Sequence, residues 1–187
     1  MSPLAVHCAS AEDTARLARC IVGIVRPGDC VVLSGDLGAG KTTFVKSAVA
    51  ALGIDEAVTS PTFTLVHRYG DARRSVVHAD LYRLERTGEL DDLGLEEARD
   101  DGAILFVEWG DLVGDALGDA LILSFAHDVD AVHTTGAPVD SDSVTDTRRV
   151  VTVSARGERW RGRWDRVVAA LRTEFGVNAV GGSAVGG

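Results

Sequence analysis

CVVLSGDLGAGKTTFVKSAVAALG, residues Cys30 to Gly53, is the stretch whose reading decides the fold. It begins with an apolar run, Val31-Val32-Leu33, that suits a buried strand. A tight glycine-bearing loop follows, and then a helix-period segment that stops at Gly53. Within it, Gly35 to Thr42 reads GDLGAGKT and fits G-x-x-x-x-G-K-[ST], the phosphate-binding loop, in the required setting of strand before and helix after. Gly38 and Gly40 let the backbone curl so that successive N–H groups point at phosphate oxygens. The helix starting near Gly40 adds the positive end of its dipole. Lys41 reaches the β- and γ-phosphates, and the Thr42 hydroxyl is placed to ligate Mg²⁺. A plain glycine-rich turn before a helix is the bland alternative. With only two lysines in the chain, Lys41 and Lys46, a lysine at the loop's one lysine position argues against it. The expectation is nucleoside triphosphate binding.

At 187 residues the chain is long enough for one domain with a real core. Its 45% apolar and 25% charged residues fit a soluble globular protein. The net charge of −9 opposes broad affinity for nucleic acid, without excluding a local basic patch. No apolar run approaches a membrane span, and the N-terminus lacks a basic region followed by an apolar stretch. Cys8, Cys20 and Cys30 show no CxxC spacing and read as packing thiols rather than disulfide or zinc ligands. Cytoplasm is the default address; no membrane and no DNA partner is expected.

Upstream of the loop, Leu4–Cys8 reads as an edge strand and Ser10 as the N-cap of a helix buried through Leu17 and Ile21. Downstream, Thr59-Ser60-Pro61-Thr62 clusters hydroxyls around a proline. It reads equally as a plain turn or as a switch sensing the γ-phosphate and Mg²⁺. Phe63–Tyr69 and Ser75–Leu81 have hairpin spacing, so part of the sheet is antiparallel. Residues 86–99, with Gly88 and Gly94, suggest short helices. Ala103–Val107 is a second buried strand, and it ends in Glu108-Trp109. An acid at that edge, beside the phosphates, holds the metal directly or through water. Two further strands are expected at Ala120–Ala126 and Val150–Ala155, with an exposed loop over 127–149 between them. A closing helix spans about Glu158–Phe175, completing a single domain over 1–175, and a disordered Gly-rich tail covers 176–187.

Three carboxylates compete for catalytic work, and the residues rank them Glu108, Asp80, Asp36. His78 shares a strand face with Asp80 and reads as a structural, hydrogen-bonded histidine before a catalytic one. The arginines between Arg156 and Arg166 read first as a solvated helix face and second as a docking patch for RNA or an acidic partner.

GDLGAGKTTF (Gly35–Phe44), TSPTFTLV (Thr59–Val66), HADLYR (His78–Arg83), DDLGLEE (Asp91–Glu97) and FVEW (Phe106–Trp109) stand in the order of one family. The chain resembles TsaE, the bacterial P-loop ATPases of tRNA threonylcarbamoyladenosine biosynthesis, over Ser10–Trp109. The resemblance implies a compact α/β, P-loop-type three-layer fold with a mixed parallel and antiparallel sheet. It implies slow ATP hydrolysis by the chain alone, and work with a TsaB–TsaD-type complex that modifies adenosine 37 of tRNA. It implies ATP and Mg²⁺ as cofactors, and contact with tRNA only through that complex. Residue by residue, the cradle would be Gly35, Gly38, Ala39, Gly40, Lys41, Thr42 and Thr43. Thr42 and Glu108 would hold Mg²⁺; Asp80, Glu108 and Lys41 would be catalytic; Thr59–Thr62 would be the switch. The region around Ser10 would lie near the adenine. The rivals are a small-molecule kinase using the same loop and a nucleotide-dependent switch without multiple turnover.

Overall fold

A computed structural model describes residues 1–71, 73–84, 87–128 and 148–177. The elements run β1 (Leu4–Cys8), α1 (Ala11–Val22), β2 (Cys30–Gly35), α2 (Lys41–Ala51), β3 (Val66–Gly70), β4 (Ser75–Asp80), α3 (Leu95–Asp100), β5 (Ile104–Glu108), β6 (Ala120–His127), β7 (Arg149–Arg156), α4 (Glu158–Arg161) and α5 (Trp164–Phe175). Two 3₁₀ segments, Thr87–Leu93 and Gly110–Leu117, precede α3 and follow β5.

The strands form one sheet in the order β1-β7-β6-β2-β5-β4-β3. Its centre, β6-β2-β5-β4, is parallel, and its flanks are antiparallel. This is the mixed sheet the hairpin spacing calls for. The central strands lack polar alternation because both faces are covered. Val31 and Leu33 of β2, Phe106 of β5 and Leu121 of β6 join the core that contains α1, α2 and α5. Their strand neighbours Cys30, Val32, Leu105, Val107 and Ala120 join a second core with α3 and the 3₁₀ segments. The α/β fold therefore has three layers.

Phe44 fastens α2 to this sheet. Fully buried, it packs edge-on against Phe106 at 6.2 Å and Phe125 at 6.0 Å between ring centroids. That contact sets the first turn of α2 against β5 and β6.

Two expectations need correction. The strand expected from Phe63 begins only at Val66. Pro61 starts a turn in which the Leu65 N–H donates to the Pro61 carbonyl at 2.6 Å, and Leu65 takes a left-handed φ of 62°. Phe63 is left 85% exposed. The closing helix is also not continuous, for it breaks between α4 and α5 at Gly162-Arg163. There Arg163 turns inward and donates through Nη1 and Nη2 to Asp29 at 2.7 Å each. Ser10 caps α1, accepting the Asp13 N–H at 3.2 Å. No disulfide joins the cysteines. No helix among the described residues is long and apolar enough to cross a membrane. Of the expected exposed loop, residues 129–147 lie outside the described residues, as do residues 178–187 of the expected tail.

Candidate functional site

β2, β4 and β5 run parallel, so their C-terminal ends open on one edge of the sheet. The loop after β2 reaches α2 through Gly40, which has φ 105° and leads into the helix without a side-chain cap. The N–H groups of Lys41, Thr42 and Thr43 belong to the helix's first turn, where no intrahelical acceptor exists. A phosphate fits such an end.

Lys41 is only 4% exposed. Its Nζ donates to the carbonyls of Gly35 at 2.6 Å and Asp36 at 2.9 Å, and lies 4.0 Å from the centre of the Trp109 ring. Burial pushes its pKa below the ordinary lysine value, while Glu108, Asp80, Asp111 and Asp36 pull it back. An ammonium held among carbonyls and carboxylates is poised to meet an anion.

The Thr42 hydroxyl donates to Glu108 Oε1 at 2.7 Å, joining the first turn of α2 to the last residue of β5. Two hard oxygen donors side by side suit Mg²⁺. Glu108 is buried, and the same Oε1 lies 2.9 Å from His78 Nε2. Asp80 ends β4 directly opposite Glu108 in the ladder. Its Oδ2 accepts the hydroxyls of Ser60 and Thr62, both at 3.0 Å, and its Oδ1 accepts the Tyr82 N–H at 3.1 Å. The hydroxyl loop is thus tied to one of the candidate acids. Asp36, ranked third, is exposed and contributes its backbone carbonyl to Lys41.

Leu65 and Trp109 are the positive-φ residues other than glycine among those described, and both flank the acids. Leu65 accepts the Asp80 N–H at 2.9 Å, and Trp109 follows Glu108. Strain of this kind persists where surrounding structure over-determines it. A cleft of about 340 Å³ is lined by Leu37, Gly38, Gly40 and Lys41 to Thr43 on one side and by Ser60, Thr62, Asp80, Tyr82, Glu108 and Trp109 on the other. Ala39 and Gly35 support it from behind: Ala39 is fully buried, and Gly35 supplies a carbonyl to Lys41.

Sequence reasoning missed the bond from His78 to Glu108, although the two-residue spacing from Asp80 had placed both on one face. It also missed Arg149, whose guanidinium reaches the loop from β7; no motif marks it. Of the arginines near the C-terminus, Arg159, Arg161 and Arg166 are exposed, as a solvated face requires, whereas Arg163 is buried. Arg156 holds Asp115 and the Gly114 and Gly118 carbonyls, Arg159 holds the Gly28 carbonyl, and Arg163 holds Asp29. Arg161 pairs with Glu158 on the surface.

Sheet order, loop and acids define the class: a phosphate-loop α/β protein. The family model of the threonylcarbamoyl adenosine biosynthesis protein TsaE matches residues 8–134. A Bacillus subtilis protein named tRNA threonylcarbamoyladenosine biosynthesis protein TsaE is 40% identical over 117 residues, which is 63% of this chain and 73% of that protein. Its Streptomyces coelicolor namesake is 38% identical over 148 residues, covering 77% and 91%. The crystal structure of Bacillus subtilis YdiB superposes with a TM-score of 0.68 at 28% identity, over 90% of this chain and 97% of that one. The chain belongs to the TsaE family.

Proposed function

We propose that this chain is a Mg²⁺-dependent ATPase serving the threonylcarbamoyladenosine modification of tRNA, acting in the cytoplasm on a TsaB–TsaD-type protein complex. The observation that carries the reading is the Thr42–Glu108 contact at 2.7 Å, which joins the phosphate loop to a buried acid at the sheet's edge. Family membership supplies the pathway.

The residues divide the work. Gly38 to Thr43 hold the phosphates through backbone N–H groups and the helix dipole. Lys41 leaves its carbonyl partners to meet negative charge on the phosphoryl oxygens. Thr42 and Glu108 hold Mg²⁺, which when bound supplies Lewis-acid neutralisation of that charge. Asp80 orients the attacking water and takes up its proton; Ser60, Thr62 and the Tyr82 N–H fix its two oxygens. Those hydroxyls also make the Ser60–Thr62 loop the element that answers to the state of the nucleotide. Contact with tRNA is indirect, in keeping with a net charge of −9.

The test is tRNA modification reconstituted from the TsaB–TsaD-type complex, ATP and tRNA, with and without this chain. Multiple rounds of modification that require the chain and stop with Lys41→Ala are expected. Modification that is indifferent to the chain would sink the reading. Phosphoryl transfer to a small acceptor faster than to water would replace it with a kinase.

A further inference from the structure

Arg149 opens β7, outside the stretch that the family model matches. The antiparallel pairing of β7 with β6 sets Arg149 opposite His127, at the same end of the sheet as the phosphate loop. Its Nε donates to the Ala39 carbonyl at 3.1 Å and its Nη2 to the Gly38 carbonyl at 3.3 Å. Gly38 and Gly40 line the cleft, and Arg149 does not.

A trans peptide is planar, with its C=O and N–H pointing in opposite directions. Holding the Ala39 carbonyl therefore fixes the Gly40 N–H to point away from Arg149, and Gly40 lines the cleft. The loop needs such a hold. Gly38 and Gly40 have φ of 78° and 105°, and a Cβ added at either would meet nothing within 4 Å. Glycine takes either sign of φ at little cost, so packing does not stop these peptides from turning over. A flipped 39–40 peptide would aim a carbonyl where phosphate needs a donor.

We propose that Arg149 is a positioning residue that locks the Gly38–Ala39–Gly40 peptides so that the Gly40 N–H is presented to phosphate. The proposal rests on the nucleotide reading above. A guanidinium is suited to the task because its fixed fork spans two carbonyls, whereas a lysine ammonium keeps the charge without the fork.

The test compares the full chain with Arg149→Lys and Arg149→Gln by titration with a fluorescent ADP and by the amide cross-peak of Gly40 without nucleotide. Both variants are expected to weaken ADP about tenfold, the scale of losing hydrogen bonds from a charged donor. Both should also shift or broaden the Gly40 peak. Thermal midpoints show whether each variant keeps the parent fold. Parent-like affinity in Arg149→Lys with loss in Arg149→Gln would overturn the proposal, because charge alone would then suffice. An unchanged Gly40 peak in both variants would overturn it as well. If the parent itself failed to bind ADP, the nucleotide reading would fall, while the Gly40 peak of the nucleotide-free chain would still decide the locking. A variant that melts far lower leaves that decision to the peak of the other.

Discussion

His78 Nε2 sits 2.9 Å from Glu108 Oε1, the same oxygen that accepts the Thr42 hydroxyl at 2.7 Å. The imidazole is fully buried, and its Nδ1 has no partner among the described residues. With Glu108 as a carboxylate, Nε2 is the donor of this contact. The acid is therefore held from both sides, by β4 and by α2, before any ligand arrives.

Glu108→Gln should keep binding nucleotide in the absence of Mg²⁺ but lose the Mg²⁺-dependent gain in affinity. Its turnover should fall at least about a hundredfold, the scale of removing one group that stabilises developing charge. Titration with and without Mg²⁺, together with phosphate release, measures both. Parent-like turnover would remove Glu108 from the metal site. His78→Leu should cost about 1–3 kcal/mol of stability by withdrawing a donor from a buried carboxylate, measurable by urea unfolding.

The fold was legible where one residue type forces one geometry. GDLGAGKT between an apolar run and a helical period predicts the loop, and the apolar run ending in Glu108 predicts β5. The closing helix is overextended in the sequence reading because period alone cannot see Asp29. That buried acid draws in Arg163, and the helix breaks where Arg163 turns toward it. Local β-propensity places Phe63 in a strand. The turn from Pro61 to Leu65 depends instead on a backbone bond and a left-handed leucine. Arg149 carries no signal in the sequence because the two loop carbonyls it grips, 110 and 111 residues away, come to it only on folding.

Phe44→Ala should destabilise the chain by about 3–5 kcal/mol, the range for emptying a fully buried aromatic site. The void would open between α2 and strands β5 and β6, in the same first turn of α2 as Thr42 and Thr43. Nucleotide affinity should fall along with the thermal midpoint. A variant with the parent's midpoint would mean that α2 is held by something other than the Phe44 contacts.

Arg163→Met should cost about 3–5 kcal/mol, since it leaves Asp29 charged, 1% exposed and without its bidentate partner. Among the described residues, the Asp29 carboxylate then keeps the Arg26 N–H at 2.8 Å and a distant Arg159 at 3.8 Å. Adding Asp29→Asn to Arg163→Met should recover part of the loss, because the buried charge is then gone. If the double variant is no more stable than Arg163→Met, the cost lies in lost packing on Trp160, over which the guanidinium stacks at 4.2 Å.

The cysteine that begins the phosphate-loop strand gives a pH test. Burial pushes the Cys30 thiol up to about 12 and the Cys8 thiol to about 11, from an ordinary 9.0. Above pH 9 the unfolded chain loses these protons while the folded chain keeps them. The folded state then binds more protons, so stability falls as pH rises. Each such thiol contributes stability that is fully present below pH 9 and lost as pH climbs to its folded value. Cys30→Ala should therefore flatten the decline of unfolding free energy between about pH 9 and pH 11 by close to one proton, or about 1.4 kcal/mol per pH unit. Alkylation at pH 8 should mark the half-buried Cys20 first and reach Cys8 and Cys30 only on unfolding. Equal alkaline slopes in parent and variant, or rapid labelling of Cys30 in the folded chain, would show that the start of β2 opens to water far more readily than its burial between two core layers allows.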